Sequence, residues 1–237
     1  LYKFALVKKK ILVFDFGGGT LDTAILEYDN DYKILATNGI YIGGNLLNTD
    51  IMKTKLNKYF GSEVRWGKNQ LVLPGKFMDM LNSWYGITNL NNPTDMRTLG
   101  EIQNNNSDPA AVERLIYLIK MNLSFEIYEG IEKAKKDLST QTEASIRFFD
   151  GPIDINVPIT RAEFENLIKP RIDEIKTVVF RTLESAQLEP DEIEIVVRTG
   201  GSSLIPVVET MLTDIFGKEK VQLFDTFTSV AAGLALD

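Results

Sequence analysis

Ile11-Leu12-Val13-Phe14-Asp15-Phe16-Gly17-Gly18-Gly19-Thr20-Leu21-Asp22-Thr23-Ala24-Ile25-Leu26 is two apolar runs hinged on three glycines. The runs, Ile11 to Phe14 and Thr23 to Leu26, read as strands, and the glycines between them as a turn that exposes its amides. Without Cβ atoms the glycines admit positive φ and let an anion approach the backbone closely. Asp15, Thr20 and Asp22 bracket them with oxygens suited to a hard cation. The alternative is a plain solvent-exposed turn, the commoner meaning of a short glycine run. Asp22 is equally readable as a structural partner of the turn.

Composition narrows the chemistry. A chain of 237 residues that is 44% hydrophobic and 25% charged can bury a sizeable core in one or two domains. Its net charge of −7 argues against general affinity for nucleic acid. With no Cys and no His, thiolate and imidazole nucleophiles and the usual zinc ligands are excluded, so a metal partner should be a hard ion such as Mg2+. No apolar run is long enough to span a bilayer and no signal pattern opens the chain, so no membrane partner and a cytoplasmic location are expected. Leu1 to Val7 reads as the tail of an amphipathic segment, which makes an excised fragment the expectation.

Residues 10 to 42 alternate apolar and polar and predict three antiparallel strands. Asn48 to Phe60 carries Ile51, Met52, Leu56, Tyr59 and Phe60 at helical spacing. Residues 61 to 108, rich in Asn with Pro74 and Pro93, read as loops and short helices. Asp108-Pro109 caps a long amphipathic run to about Leu138, with Gly130 as its expected bend. Ala144 to Phe149 and Ile153 to Val157 flank Asp150-Gly151 as a hairpin. Thr160 to Glu163 opens a helix with a capping box, expected to pause at Pro170 and resume to Ala186. The remainder reads as strand (Ile193 to Val197), glycine turn, helix (Leu204 to Phe216), strand (Val221 to Leu223) and terminal helix (Ser229 to Leu236).

Three further motifs accompany the glycine turn: Gly43-Gly44, the helical segment Glu132-Lys133-Ala134-Lys135-Lys136-Asp137-Leu138-Ser139, and Gly200-Gly201-Ser202-Ser203-Leu204-Ile205-Pro206. In this order and spacing the four segments resemble the second half of the ATPase domain of the DnaK-type heat-shock chaperones, within the actin, sugar-kinase and chaperone superfamily. The resemblance runs from about Lys10 to Leu236. It implies an α/β fold: a ribonuclease-H-like, actin-like ATPase core, 1–44 with 170–237, carrying an inserted α+β subdomain, 45–169, that gates the nucleotide. ATP or ADP with Mg2+ would be held in a cleft between this lobe and a first lobe with no match here. Asp15 would position hydrated magnesium or the attacking water and, with Thr20, serve catalysis. Gly17, Gly18, Gly19 and Thr20 would bind phosphate. Gly43, Gly44, Glu132, Lys135, Lys136, Ser139, Gly200, Gly201 and Ser202 would bind the nucleotide. Glu132, Lys135, Lys136 and Ser139 fall at i, i+3, i+4 and i+7 on one helix face, where a solvated ion pair is the competing meaning.

Departures from that pattern are equally specific. Leu204 stands where the family often has an adenine-stacking arginine, and Asn45 and Asn48 stand where chaperones usually carry acids. Asp225 to Ser229 replaces a proline-acid segment. With the 61–108 insert and the Phe227 to Leu236 ending, these look more like the divergent YegD-type branch. The resemblance implies ATP hydrolysis coupled to lobe motion in the intact protein, with the missing first lobe, and beyond it protein clients or co-chaperones, as partners, and inactivity of this chain alone. Two other readings stay open: a nucleotide-sensing module with little turnover, and a filament-forming actin relative. A sugar or metabolite kinase fits the helix and glycine spacing less closely.

Overall fold

The structure is a computed structural model that describes residues 9–83 and 85–224. It separates into two compact units: the described residues up to Leu47 together with those from Ile168 onward, and Asn48–Leu167.

The first unit is built on a five-stranded mixed sheet. β1 (Lys9–Phe16), β2 (Leu21–Tyr28) and β3 (Tyr32–Ile40) form an antiparallel meander; β8 (Ile195–Thr199) and β9 (Val221–Leu223) extend it in parallel, giving the order β3-β2-β1-β8-β9. The meander is as expected from the alternation over 10 to 42. β8 begins two residues later than its apolar run suggested: Glu194 N–H already bonds the Lys10 carbonyl at 3.0 Å, but the Lys10 amide donates to the Glu194 carboxylate at 2.6 Å, and the paired register starts at Ile11↔Ile195.

On one face of this sheet Leu12, Phe14 and Phe16 are fully buried, as are Leu21 and Ile25 across the ladder. Two helices are tied to that face. α6 (Arg161–Ala186) meets it through a 2.7 Å bond between the buried hydroxyls of Thr23 and Thr182. α7 (Pro206–Phe216) meets it through Glu209, whose Oε2 accepts from Arg198 at 2.6 Å. Pro170 does not interrupt α6. It lies on the exposed side, where water can serve the carbonyl its ring leaves unbonded, while Ile168, Ile172, Ile175, Val179 and Leu183 bury the opposite stripe.

The second unit is mostly helical. α1 (Gly44–Ile51), whose first four residues belong to the first unit, starts four residues before the expected Asn48, and its continuation passes through a π turn (Met52–Leu56) and a 3-10 turn (Asn57–Phe60). The 61–108 stretch holds a two-stranded ribbon, β4 (Arg65–Trp66) with β5 (Leu71–Val72), then α2 (Gly75–Leu81) and α3 (Pro93–Gln103). α3 is longer than the Asn-rich composition suggested. Asn92 caps it by accepting from Asp95 N–H, and Asp95 in turn accepts from Lys76 at 2.6 Å. Trp84 lies outside the described residues.

The long run after Asp108 divides, but not at Gly130. α4 (Pro109–Met121) ends where Asn122 turns left-handed at φ 55°, and the Leu123 amide reaches back to the Leu118 carbonyl at 3.2 Å. α5 (Ser124–Thr140) then runs straight through Gly130. That glycine serves a close approach: a Cβ there would sit 2.9 Å from the Arg147 carbonyl of β6 (Glu143–Asp150). β6 pairs with β7 (Ile153–Thr160) in the expected hairpin. The expected capping box at Thr160 is present, with Glu163 N–H bonding Thr160 Oγ1 at 3.2 Å and Thr160 N–H bonding Glu163 Oε2 at 2.8 Å. The amphipathic reading of Leu1 to Val7 and the terminal helix expected over Ser229 to Leu236 both lie outside the described residues.

Asp108 is the side-chain cap of α4, accepting from Ala111 N–H at 3.0 Å. Asp108→Ala should therefore lower unfolding stability by about 1 kcal/mol in urea denaturation. Asn122→Gly should leave it unchanged or slightly higher, and Asn122→Val should lower it, since a β-branched side chain resists positive φ.

Candidate functional site

Within the first unit, three separated segments meet at the tip of the β1–β2 hairpin. The ladder closes at Asp15↔Asp22 and Phe16↔Leu21, and Gly17 N–H bonds the Thr20 carbonyl at 3.0 Å. The Gly17 carbonyl then accepts twice, from Gly44 N–H at 3.0 Å and from Ser202 Oγ at 2.9 Å, while the Gly18 carbonyl accepts from Asn45 N–H at 2.8 Å. With those carbonyls engaged from behind, the amides of Gly18, Gly19 and Thr20 have no acceptor among the described residues. Three consecutive backbone donors without an acceptor are the kind of arrangement that can receive an anion.

Each supporting glycine has a steric reason. A Cβ on Gly43 would collide with the Gly18 carbonyl and lie 2.5 Å from the Gly19 carbonyl carbon. Gly200 sits at φ 85°, ψ 147°, a region essentially reserved for glycine, and a Cβ there would meet the Phe16 carbonyl and come within 2.8 Å of Asp15 Oδ1. The 3-10 turn Gly201–Leu204 that follows is braced by Ser203 Oγ on the Gly200 carbonyl at 2.7 Å and by Arg198 Nη1 on the Ser203 carbonyl at 2.6 Å. Leu204 is half exposed on this turn. Sequence reasoning did not single out Arg198; the signal available was one charge inside the apolar strand Ile195-Val196-Val197-Arg198-Thr199.

Asp15 and Asp22 face each other across the ladder beside the glycines. Partial burial of the carboxyl, and then the Asp22 charge, raise the Asp15 pKa above its ordinary value. Asp22 Oδ2 accepts from Thr20 Oγ1 at 2.8 Å, so the Thr20 hydroxyl spends its proton on Asp22 and keeps its lone pairs. Among the described residues no group of three carboxylates gathers that could hold a metal alone.

In the second unit, α5 places Glu132, Lys135 and Lys136 on one face. Lys135 Nζ lies 2.6 Å from Glu132 Oε2, and Lys136 Nζ 3.8 Å from Glu132 Oε1. Lys135 is buried, and desolvation lowers its pKa despite the opposing pull of Glu132. Burial alone would raise the Glu132 pKa, but the Lys135 charge, the hydrogen bonds from Lys135 and Asn48, and the Lys136 charge together lower it. Ser139, one turn on from Lys135, is half-buried and bonds back to the Lys135 carbonyl at 3.5 Å.

The fold and these loops define a class: a mixed α/β scaffold with a glycine-lined loop at the end of its central hairpin. A family model described as Hsp70 protein matches residues 120–237. The chaperone protein dnaK of Cyanidioschyzon merolae is 31% identical over 236 residues, which cover 96% of this chain and 31% of that protein. The chaperone protein dnaK of Emiliania huxleyi is 31% identical over 234 residues, 95% of this chain and 30% of that protein. The chaperone protein DnaK of Prochlorococcus marinus is 29% identical over 236 residues, 96% and 29% respectively. The chain thus spans just under a third of the length of these curated relatives. The chain belongs to the Hsp70 family, of the DnaK type, and has the α/β fold of actin-like ATPases. These matches fix the family and not the YegD-like branch.

Two outcomes follow. Gly43→Ala should push the Gly18-Gly19 backbone away and release the Asn45 amide, read as at least tenfold faster hydrogen exchange at Asn45 (about 1.4 kcal/mol). Glu132→Gln should cost about 1–2 kcal/mol at neutral pH, discounted because Glu132 keeps 28% of its side-chain surface. Its folded pKa is lowered, so its contribution is complete above the unfolded carboxylate pKa and disappears as pH falls through the folded value. The wild-type and variant urea midpoints should therefore converge on acidification.

Proposed function

We propose that this chain is the second lobe of a chaperone-like ATPase that binds Mg-ATP in a two-lobed cleft and hydrolyses it to drive lobe motion. The observation that carries the reading is the trio of unpaired amides at Gly18, Gly19 and Thr20, held open by hydrogen bonds from Gly44, Asn45 and Ser202. Such a surface fits phosphate oxygens. The donor set nearby is all oxygen, which fits a hydrated Mg2+ carried mainly by water and phosphate. Bound magnesium would neutralise phosphate charge, as phosphoryl transfer requires.

The chain's own residues take the following parts. Gly17, Gly18 and Gly19 shape the loop, the free amides hold the phosphates, and the Thr20 hydroxyl joins them by turning its proton from Asp22 to a phosphate oxygen when the nucleotide binds. Asp15, with its pKa raised, orients a water by accepting a hydrogen bond from it. Gly43 and Gly44 keep the loop in place from behind, and Ser202 ties it to the Gly200-Gly201 turn, whose bare backbone suits close approach by a nucleoside. Glu132, Lys135, Lys136 and Ser139 supply polar groups for adenosine. The core of 1–44 with 170–237, and the inserted 45–169 as a gate on nucleotide access, belong to the same proposal. So do a cytoplasmic location, protein clients and co-chaperones, the missing first lobe, and placement in the YegD-like branch on the strength of Asn45, Asn48 and Leu204. No helix among the described residues is long and apolar enough to cross a membrane.

Calorimetric titration of Mg-ATP tests the reading. Binding should appear when the chain is joined to a first lobe and be at least tenfold weaker for the chain alone, because half of the cleft is then missing (about 1.4 kcal/mol). In the two-lobed protein Asp15→Asn should cut turnover by about 100-fold or more with little change in affinity. Equal tight binding by the isolated chain would mean the site lies elsewhere; tight binding with no turnover in the wild type would favour the nucleotide-sensing module.

A further inference from the structure

Asn48 in α1 is 5% exposed and neutral, beside a cluster of charges within the same unit. Its Nδ2 donates to Glu132 Oε2 at 2.9 Å, the same oxygen that Lys135 Nζ holds at 2.6 Å. Its Oδ1 is buried and has no partner among the described residues. Glu132 Oε1 is placed differently: it lies 3.8 Å from the exposed Lys136 Nζ. One carboxylate oxygen is saturated by two donors, and the other is left as an acceptor on a side chain that remains partly exposed.

We propose that Asn48 is a positioning residue for Glu132, pinning Oε2 together with Lys135 so that Oε1 is presented to a hydroxyl donor of the bound ligand, of the kind a sugar carries. This rests on the reading of α5 as a nucleoside-contacting helix. The two oxygens of a carboxylate are chemically equivalent and are exchanged by rotation about the last torsion. A single cationic partner would hold either one. Two donors arriving from different helices, an ammonium three residues along α5 and an amide from α1, select one oxygen and fix the plane of the group.

The unmatched Oδ1 supports this role. A buried amide that uses only its donor end carries the desolvation cost of its acceptor, and an apolar side chain of similar size would remove that cost. Packing therefore does not account for an amide here; the donor to Glu132 does. An aspartate would be a poor substitute for this purpose, since it would repel Glu132 and compete with it for Lys135.

The test has one arm that needs no nucleotide. In the 237-residue chain, carbon-detected NMR titration should find the Glu132 carboxyl below its ordinary range, and both Asn48→Ala and the isosteric Asn48→Asp should move it upward. In the second arm the two-lobed protein is titrated with Mg-ATP and Mg-2′-deoxyATP and, separately, Mg-ATP and Mg-3′-deoxyATP. The wild type should prefer the full ribose to at least one deoxy form by about tenfold, the size expected of a hydrogen bond to a charged acceptor. Either Asn48 variant should bring that ratio close to one while leaving the thermal midpoint within a few degrees of wild type. A Glu132 titration unmoved by both variants, or a preference for ribose that survives them, overturns the proposal. Should the wild type bind none of these nucleotides, the ATPase reading itself fails, and the orientation of Glu132 by Asn48 still stands or falls on the titration.

Discussion

The carbonyl of Gly17 is the point on which the geometry of the glycine loop depends. A glycine tip left to itself satisfies its amides with its own carbonyls or with water. Here the Gly44 amide and the Ser202 hydroxyl, from segments 27 and 185 residues away in the chain, both terminate on that one oxygen. The Gly18 carbonyl is taken by Asn45 in the same way. Once these acceptors are engaged from behind, the amides that follow have no acceptor among the described residues. The loop is thus shaped by what its carbonyls do, and the proposed affinity for an anion would be a consequence.

That arrangement explains why glycine recurs in segments distant in sequence. Gly43 lies against the backbone of Gly18 and Gly19, and Gly200 against the Phe16 carbonyl and the Asp15 carboxylate. At both, a Cβ would occupy space filled by another main chain. The same close packing bears on electrostatics. It partly desolvates the Asp15 carboxyl, and with the Asp22 charge across the ladder this raises the Asp15 pKa above its ordinary value. In the second unit the balance runs the other way, where Glu132 is kept ionised by Lys135, Asn48 and Lys136 against the cost of its burial.

The sheet that carries the loop has its own constraint. Phe14 and Phe16 pack edge to face at 6.2 Å on the buried side of β1, so Asp15 between them must face the other way. A one-residue slip of this strand would bury the carboxylate and expose two phenylalanines, which fixes the register. Apolar alternation therefore also decides which side of the sheet the catalytic candidate occupies.

Much of this was readable from the chain alone, because it depends on local chemistry. The β1–β2–β3 meander follows from period-two alternation, the hairpin of β6 and β7 from Asp150-Gly151, and the α4 start from Asp108-Pro109. The i, i+3, i+4 placement of Glu132, Lys135 and Lys136 follows from helical periodicity once α5 is recognised. What sequence left undecided involves partners far apart in the chain. Asn122, not Gly130, ends the helix, because Gly130 is required by the approach of Arg147 and no local rule reports that contact. Pro170 is tolerated because its side of α6 faces water. Asn48 becomes a donor to Glu132, and Ser202 a donor to Gly17, only when the chain has folded. Local propensity depends on a few neighbouring residues and is written in the sequence; the direction of a carbonyl, an amide or a carboxylate oxygen is set by whichever distant group reaches it, and only the tertiary structure decides that.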